Sequence, residues 1–169
     1  RLEAETIRDA LLAVGGNLDS TPFGPSVLED STRRSVYLRV KRSELLPVLT
    51  IFDAPEPTQS IGERSVTTVP TQALALLNSP FVRRQAERLM ARIKPPTPTP
   101  AHPTSPAAAV DRGYQIALGR AATDAERTRM LMFIDRQRVA LEPAPDAADR
   151  ALSEFCHTLL CLSEFVYVD

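Results

Sequence analysis

The most regular pattern in the chain is a stripe near its end. Ala148, Ala151, Leu152, Phe155, Leu159 and Leu162 recur at three- and four-residue steps, the period that gathers side chains on one face of an α-helix. An earlier stripe, Ile7, Ala10, Leu11 and Val14, runs among the charged Glu3, Glu5, Arg8 and Asp9, and Gly15-Gly16 behind it supplies a left-handed stop. From Asn17 to Asp30 the spacing of Asp19, Ser20, Pro22, Gly24 and Pro25 predicts an irregular loop. In RRSVYLRVKR, Val36, Leu38 and Val40 alternate with Tyr37, Arg39 and Lys41, which reads as a strand with no obvious partner, or else as a short helix.

The middle of the chain is punctuated by proline. Residues Ser43 to Phe52 form a short helix if Pro47 lies in its first turn, and FDAPEPTQSIGERS is then a loop. Pro70 suits the first position of a helix carrying Ala73, Leu74, Leu76 and Leu77, and Ser79-Pro80 repeats the signal, a capping hydroxyl before a first-position proline. Two helices therefore meet at a corner. Asn78 is placed there to satisfy backbone groups left open between them. The second helix presents Val82, Ala86, Leu89, Met90 and Ile93.

Pro95, Pro96, Pro98, Pro100, Pro103 and Pro106 then crowd one segment of a chain whose 15 prolines are already in excess. Beyond it, Val110, Tyr114, Ala117 and Leu118 form a helix closed by Gly119, and Thr123 with Glu126 makes a capping box for a helix using Met130, Leu131, Ile134 and Leu141. FVYVD reads as an extended tail. The expected fold is all-α: an irregular multi-helix bundle with long loops and a proline-rich linker. Residues 1–93 would be a helical and loop half, 94–107 the flexible linker, and 108–169 a three-helix half packing on the first as one domain.

Composition narrows the function classes. The net charge of −1 removes the long-range attraction a nucleic-acid binder uses. The turn LGRAATDAE has the outline of a helix-turn-helix, but Asp124 and Glu126 put carboxylates where phosphates would lie. No apolar run is long enough to span a membrane. Cys156 and Cys161 lie five apart, about 140° around a helix, so they diverge rather than pair. No C-x-x-C-H, G-x-S-x-G or phosphate-cradling glycine loop occurs, and no cofactor is expected within the chain. With no initiating Met and no targeting stretch, RLEAETIRD reads as the start of an excised piece.

Several segments together, RLEAETIRDALLAVGG, RRSVYLRVKR, FDAPEPTQSIGERSVTTVPTQALALLNSPFV, YQIALGRAATDAE and CHTLLCLSEFVYVD, resemble the planctomycete-type C-terminal domain of unknown function found in large secreted proteins. Many of those carry a haem-c-type domain elsewhere. The resemblance implies an exported, extracytoplasmic setting with a link to polysaccharide use. It also implies Gly at position 23 and Cys at 61, where Phe23 and Ile61 stand, an aromatic in place of Arg39, and Asn in place of Cys161.

Three groups of residues carry candidate chemistry. Asp53, Glu56, Arg64, Gln72 and Asn78 are gathered by two loops and a helix start; as a site, Asp53 and Glu56 would be the acid/base pair and Arg64 an anion clamp, with Gln72 and Asn78 binding ligand. An Asp–Arg pair across that loop would equally serve as bracing, which is the favoured reading. Arg84, Arg88 and Arg92 follow at four-residue steps, a solvated face or, in an exported protein, a surface for acidic polysaccharide. Glu154, His157, Cys161 and Glu164 line a polar face of the last helix; His157 and Cys161 alone supply too few ligands for zinc, so no metal is expected and packing on a parent protein is favoured. The role favoured is a non-catalytic helical module of a larger exported bacterial protein, in contact with its neighbouring domains. The alternative is part of a polysaccharide-binding or hydrolase site around Asp53, Arg64 and Asn78, so catalysis stays open.

Overall fold

The computed structural model describes residues 1–41, 46–56, 58, 60–94 and 105–168. Among them are eight α-helices and no named strand: α1 (Ala4–Gly15), α2 (Pro47–Ile51), α3 (Pro70–Asn78), α4 (Pro80–Ile93), α5 (Pro106–Leu118), α6 (Asp124–Leu141), α7 (Ala147–Leu160) and α8 (Ser163–Val166). The fold is all-α. No described helix is long and apolar enough to cross a membrane.

α4 is the spine. Its period places Val82, Ala86, Leu89 and Ile93 in the core, and it packs on α1 to one side and α7 to the other. α7 contributes Ala151, Phe155, Leu159 and Leu160, all fully buried, and each large apolar side chain of this kind stabilises the fold by about 1.5–3 kcal/mol. α5 approaches α7 closely because Gly113 has no side chain; a Cβ there would lie 2.9 Å from Cε1 of Phe155.

The proline and glycine signals land where expected. Pro47, Pro70 and Pro80 stand in the first turns of α2, α3 and α4. Gly16 closes α1 at φ 75° and Gly119 closes α5 at φ 72°. Thr123 and Glu126 form the capping box of α6. Residues 95–104 of the expected linker lie outside the described residues, but α5 already begins at Pro106, where Oγ of Ser105 accepts from the Ala108 N–H at 3.2 Å.

Several local expectations are corrected. Ser79 sits at the N-cap of α4, yet its hydroxyl makes no capping bond. RRSVYLRVKR is neither strand nor helix throughout: Ser35–Tyr37 make one 3-10 turn, and isolated bridges join Asp19 to Arg33 and Val27 to Leu38. A single extended segment with only another loop beside it can pair at points but cannot build a ladder. Ala73, Leu74 and Leu77 face outward from α3, which buries only Gln72 and Leu76. α6 buries no residue completely, with Met130, Leu131, Ile134 and Leu141 half-buried, so it is an outer helix laid on α7. The FVYVD tail turns into α8, whose Phe165 and Val166 are buried and whose Val166 carbonyl accepts from the Leu2 N–H at 2.8 Å.

The junction of α5 and α6 is tied to α8 through Arg120. Its guanidinium bonds both oxygens of Glu126 at 2.8 and 2.9 Å and both oxygens of Glu164 at 2.6 and 2.7 Å. The Arg120 guanidinium and the Thr123 N–H hold the Glu126 carboxyl at about 2, against its ordinary 4.5. A carboxyl lowered in the folded state stabilises fully above its unfolded value, and the contribution disappears as pH falls through the folded one. Between about pH 4.5 and pH 2 the chain is therefore expected to lose stability. Denaturant titrations of wild type and Glu126→Gln should show a difference near neutral pH that closes as pH approaches about 2. A gap independent of pH would remove Glu126 from this role.

Phe23 has φ 60° and an 83% exposed side chain, so a bulky residue occupies the left-handed region with no packing in return. Its backbone is held there: its N–H donates to the Tyr37 hydroxyl at 2.9 Å, and its carbonyl accepts from Arg33. Glycine adopts this geometry freely. Phe23→Gly is expected to raise stability by about 0.5–1 kcal/mol, read as a higher melting temperature.

Candidate functional site

The five residues gathered in sequence around position 64 separate into different structural knots. Asp53 ends α2 at φ 61°, and its carboxylate accepts from Arg1 at 2.8 Å, the Thr67 N–H at 2.8 Å and the Thr67 hydroxyl at 2.8 Å. Burial pulls this carboxyl upward, but the Thr67 amide, Arg1 and the Thr67 hydroxyl outweigh it and keep it below its ordinary range. It is an occupied acceptor, poorly suited to moving protons at neutral pH. Glu56 is exposed and joins none of these bonds.

Arg64 points to α1. It grips Glu5 at 2.8 and 3.2 Å and approaches Glu3 at 3.4 Å, so the bracing pair expected with Asp53 is made by Arg1 instead. Burial raises the Glu5 carboxyl, and Arg64 more than reverses that. Gln72 is buried and its Nε2 donates to the Ile51 carbonyl at 3.1 Å and the Thr67 carbonyl at 3.2 Å, fastening α3 to the end of α2. Asn78 is exposed at the corner and its side chain makes no hydrogen bond to any described residue, so it does not serve the open backbone groups there.

The last helix is also revised. His157 is buried rather than on a polar face; its Nε2 lies 3.2 Å from the Leu76 carbonyl, which can only accept, so that nitrogen carries the proton and ties α7 to α3. Glu154 pairs with Arg83 at 3.2 Å and Glu164 with Arg120 at 2.6 Å. Burial pushes the thiols of Cys156 and Cys161 up, away from the reactive thiolate. Among the described residues no three His, Cys, Asp or Glu side chains gather as a metal-ligand set.

The arginine stripe divides. Arg92 donates to the Ala13 carbonyl at 3.0 Å and to the Val14 carbonyl, covering the C-terminal end of α1. Arg84 and Arg88 make no hydrogen bond or ion pair with any described residue, and both border a cleft of about 380 Å³ between α1, the loop before Arg33 and the first turns of α4. Leu12, Val48 and Phe81 give it an apolar wall, while Glu29, Asp30 and Thr32 stand on the loop side. Within it lies Gln85, 3% exposed, its Oε1 buried without a hydrogen-bond donor.

Sequence reading singled out Arg84 and Arg88 but missed Gln85, Glu29, Asp30 and Asn17, which also borders the cleft with its Oδ1 buried and unpaired. Gln85 did leave a signal. It falls three after Val82 and four before Leu89, an amide at a core position of an otherwise apolar stripe.

With this geometry in hand, comparison with family models gives a match over residues 1–134: PSD1, protein of unknown function (DUF1553). The chain belongs to the PSD1 family. The PSD1 match takes in α1 to α5 and the first part of α6, and so contains both the Asp53 knot and the cleft. Neither the curated proteins nor the solved structures yield a match.

Asp53→Asn tests what the knot does. Asparagine tolerates the left-handed backbone, so the substitution removes charge and one acceptor while leaving the turn intact. It is expected to cost about 1–3 kcal/mol in a denaturant titration. An unchanged midpoint would show that Asp53 is not needed for bracing.

Proposed function

We propose that this chain is a non-catalytic helical module of a larger exported bacterial protein, packing against neighbouring domains of its parent. One observation carries the reading: the acid, base and clamp candidates are spent on the fold or stand apart, Asp53 on Arg1 and Thr67, Arg64 on Glu5, and Glu56 alone on the surface. The extracytoplasmic setting, the planctomycete origin and the haem-c-type neighbour rest on the resemblance.

An exposed apolar patch supports the contact with a neighbour. Leu74 and Leu77 project from α3 opposite its buried Gln72 and Leu76, and Val66 and Val69 are exposed in the segment leading into it. A second reading, contact with acidic polysaccharide, is supported by Arg84 and Arg88, two guanidinium groups that make no bond within the described fold.

Leu74→Lys/Leu77→Lys is expected to leave the melt of the isolated chain within about 0.5 kcal/mol of wild type, since both side chains are already wet. In a calorimetric titration against the separately produced remainder of the parent, the same variant should lose binding. Equal binding would sink the docking role of α3. Loss of a parent hydrolytic activity on Asp53→Asn, with folding intact, would restore the catalytic alternative.

A further inference from the structure

The cleft against α1 has features the packing of the fold leaves unused. Gln85 is the first. Its Oε1 points into α1, where a Cβ on Gly15 would sit only 2.3 Å away, which leaves the N–H2 branch of the amide on the cleft side. Neither end bonds a described residue, although the side chain is 3% exposed. A buried amide left in this state costs stability, about 1–3 kcal/mol, unless something in the cleft completes it.

The second feature is a local excess of donors. Arg84 and Arg88 reach the cleft from consecutive turns of α4. Ser79 and Phe81, also on its border, mark the start of that helix, where Ser79 gives no cap and Pro80 has no N–H, so the Phe81 and Val82 N–H groups stay open. Arg8 also borders the cleft but is paired with Asp9 at 3.8 Å and bonded to backbone carbonyls, so the unoccupied donors are Arg84, Arg88 and the helix end, all on the α4 side.

The third is the opposite loop, where Glu29, Asp30 and Thr32 offer acceptors. A hydroxyl donates to these groups, and its oxygen accepts from the N–H2 of Gln85 on the cleft side.

We propose that this cleft binds a small hydroxylated monoanion of the sugar-acid class. Its carboxylate is held by Arg84, Arg88 and the open end of α4, its hydroxyls by Gln85 and the Glu29-Asp30 loop, and its ring lies on the apolar wall. The volume of about 380 Å³ is in the lower range of ligand clefts and admits such a unit. The inference shares Arg84 and Arg88 with the acidic-polysaccharide reading and goes beyond it by seating a single unit inside the cleft.

The test is calorimetric titration of the full chain with sodium glucuronate, glucose, inorganic sulfate and polygalacturonate. Glucuronate is expected to bind roughly tenfold tighter than glucose or sulfate, and Arg84→Gln/Arg88→Gln to weaken it by roughly tenfold or more with an unchanged melting temperature. Gln85→Leu should weaken glucuronate while keeping or raising the melting temperature, because it removes an unpartnered polar group; should it fail to fold, the arginine variant decides. No heat with glucuronate from a folded chain overturns the proposal, as does equal affinity for sulfate or indifference to the arginine variant. Polymer binding without glucuronate binding overturns the cleft and leaves the surface reading of the arginines standing.

Discussion

The irregular first third of this chain depends on one buried cation. Arg8 lies on α1 with 1% of its surface exposed, and burial pulls its pKa down without making it anything but charged. A guanidinium sealed in this way must find acceptors, and the chain supplies them from its backbone: the carbonyls of Glu29, Ser31 and Arg33, with the Ser35 hydroxyl at 3.2 Å. Asp9, the next residue on the helix, takes the Ser35 N–H at 2.7 Å and its hydroxyl at 2.6 Å. Adjacent residues of α1 thus dictate the path of residues 29–35, a segment with no sheet and no regular helix of its own. The same loop carries Glu29 and Asp30 to the cleft, so the geometry of the candidate site follows from the solvation of Arg8.

A related division runs through α4. Its apolar face is fixed by the core, but the four arginines on its other faces meet different surroundings. Arg83 finds a carboxylate on α7, Arg92 finds the open carbonyls of α1, and Arg84 and Arg88 find neither. Identical side chains at helical spacing therefore fill three roles. What separates them is the partner opposite, which belongs to a distant part of the chain.

That distinction explains what the sequence made legible. Proline in first turns, glycine after last turns and the Thr123–Glu126 box are local signals, and they located α1 and α3 to α6 because the backbone chemistry of a helix end involves residues only a few positions apart. Side-chain partners were not legible. Arg8 read only as one of the charged residues around the α1 stripe and proved buried; His157 read as polar surface and proved to bond α3. Asp53 was expected to brace against Arg64, eleven positions on, but took Arg1, fifty-two positions back, since helix packing brings the start of α1 beside the end of α2. A charged residue announces that it needs a partner, and sequence spacing does not reveal which.

Gln85 stands between these two cases. Its place on the apolar stripe of α4 follows from periodicity, yet nothing local explains an amide where Val82, Ala86 and Leu89 are its core neighbours. Gly15 allows α1 to approach it, because any side chain there would collide with the Gln85 oxygen. The close contact of α1 and α4 thus turns one end of the amide into the helix interface and the other toward the cleft. A leucine would fill the same volume with no unsatisfied group, whereas the glutamine oxygen stands with the equally unpaired Oδ1 of Asn17 beside Gly15. On the cleft side an amide can bond and a leucine cannot, and it is this difference that the proposed ligand uses.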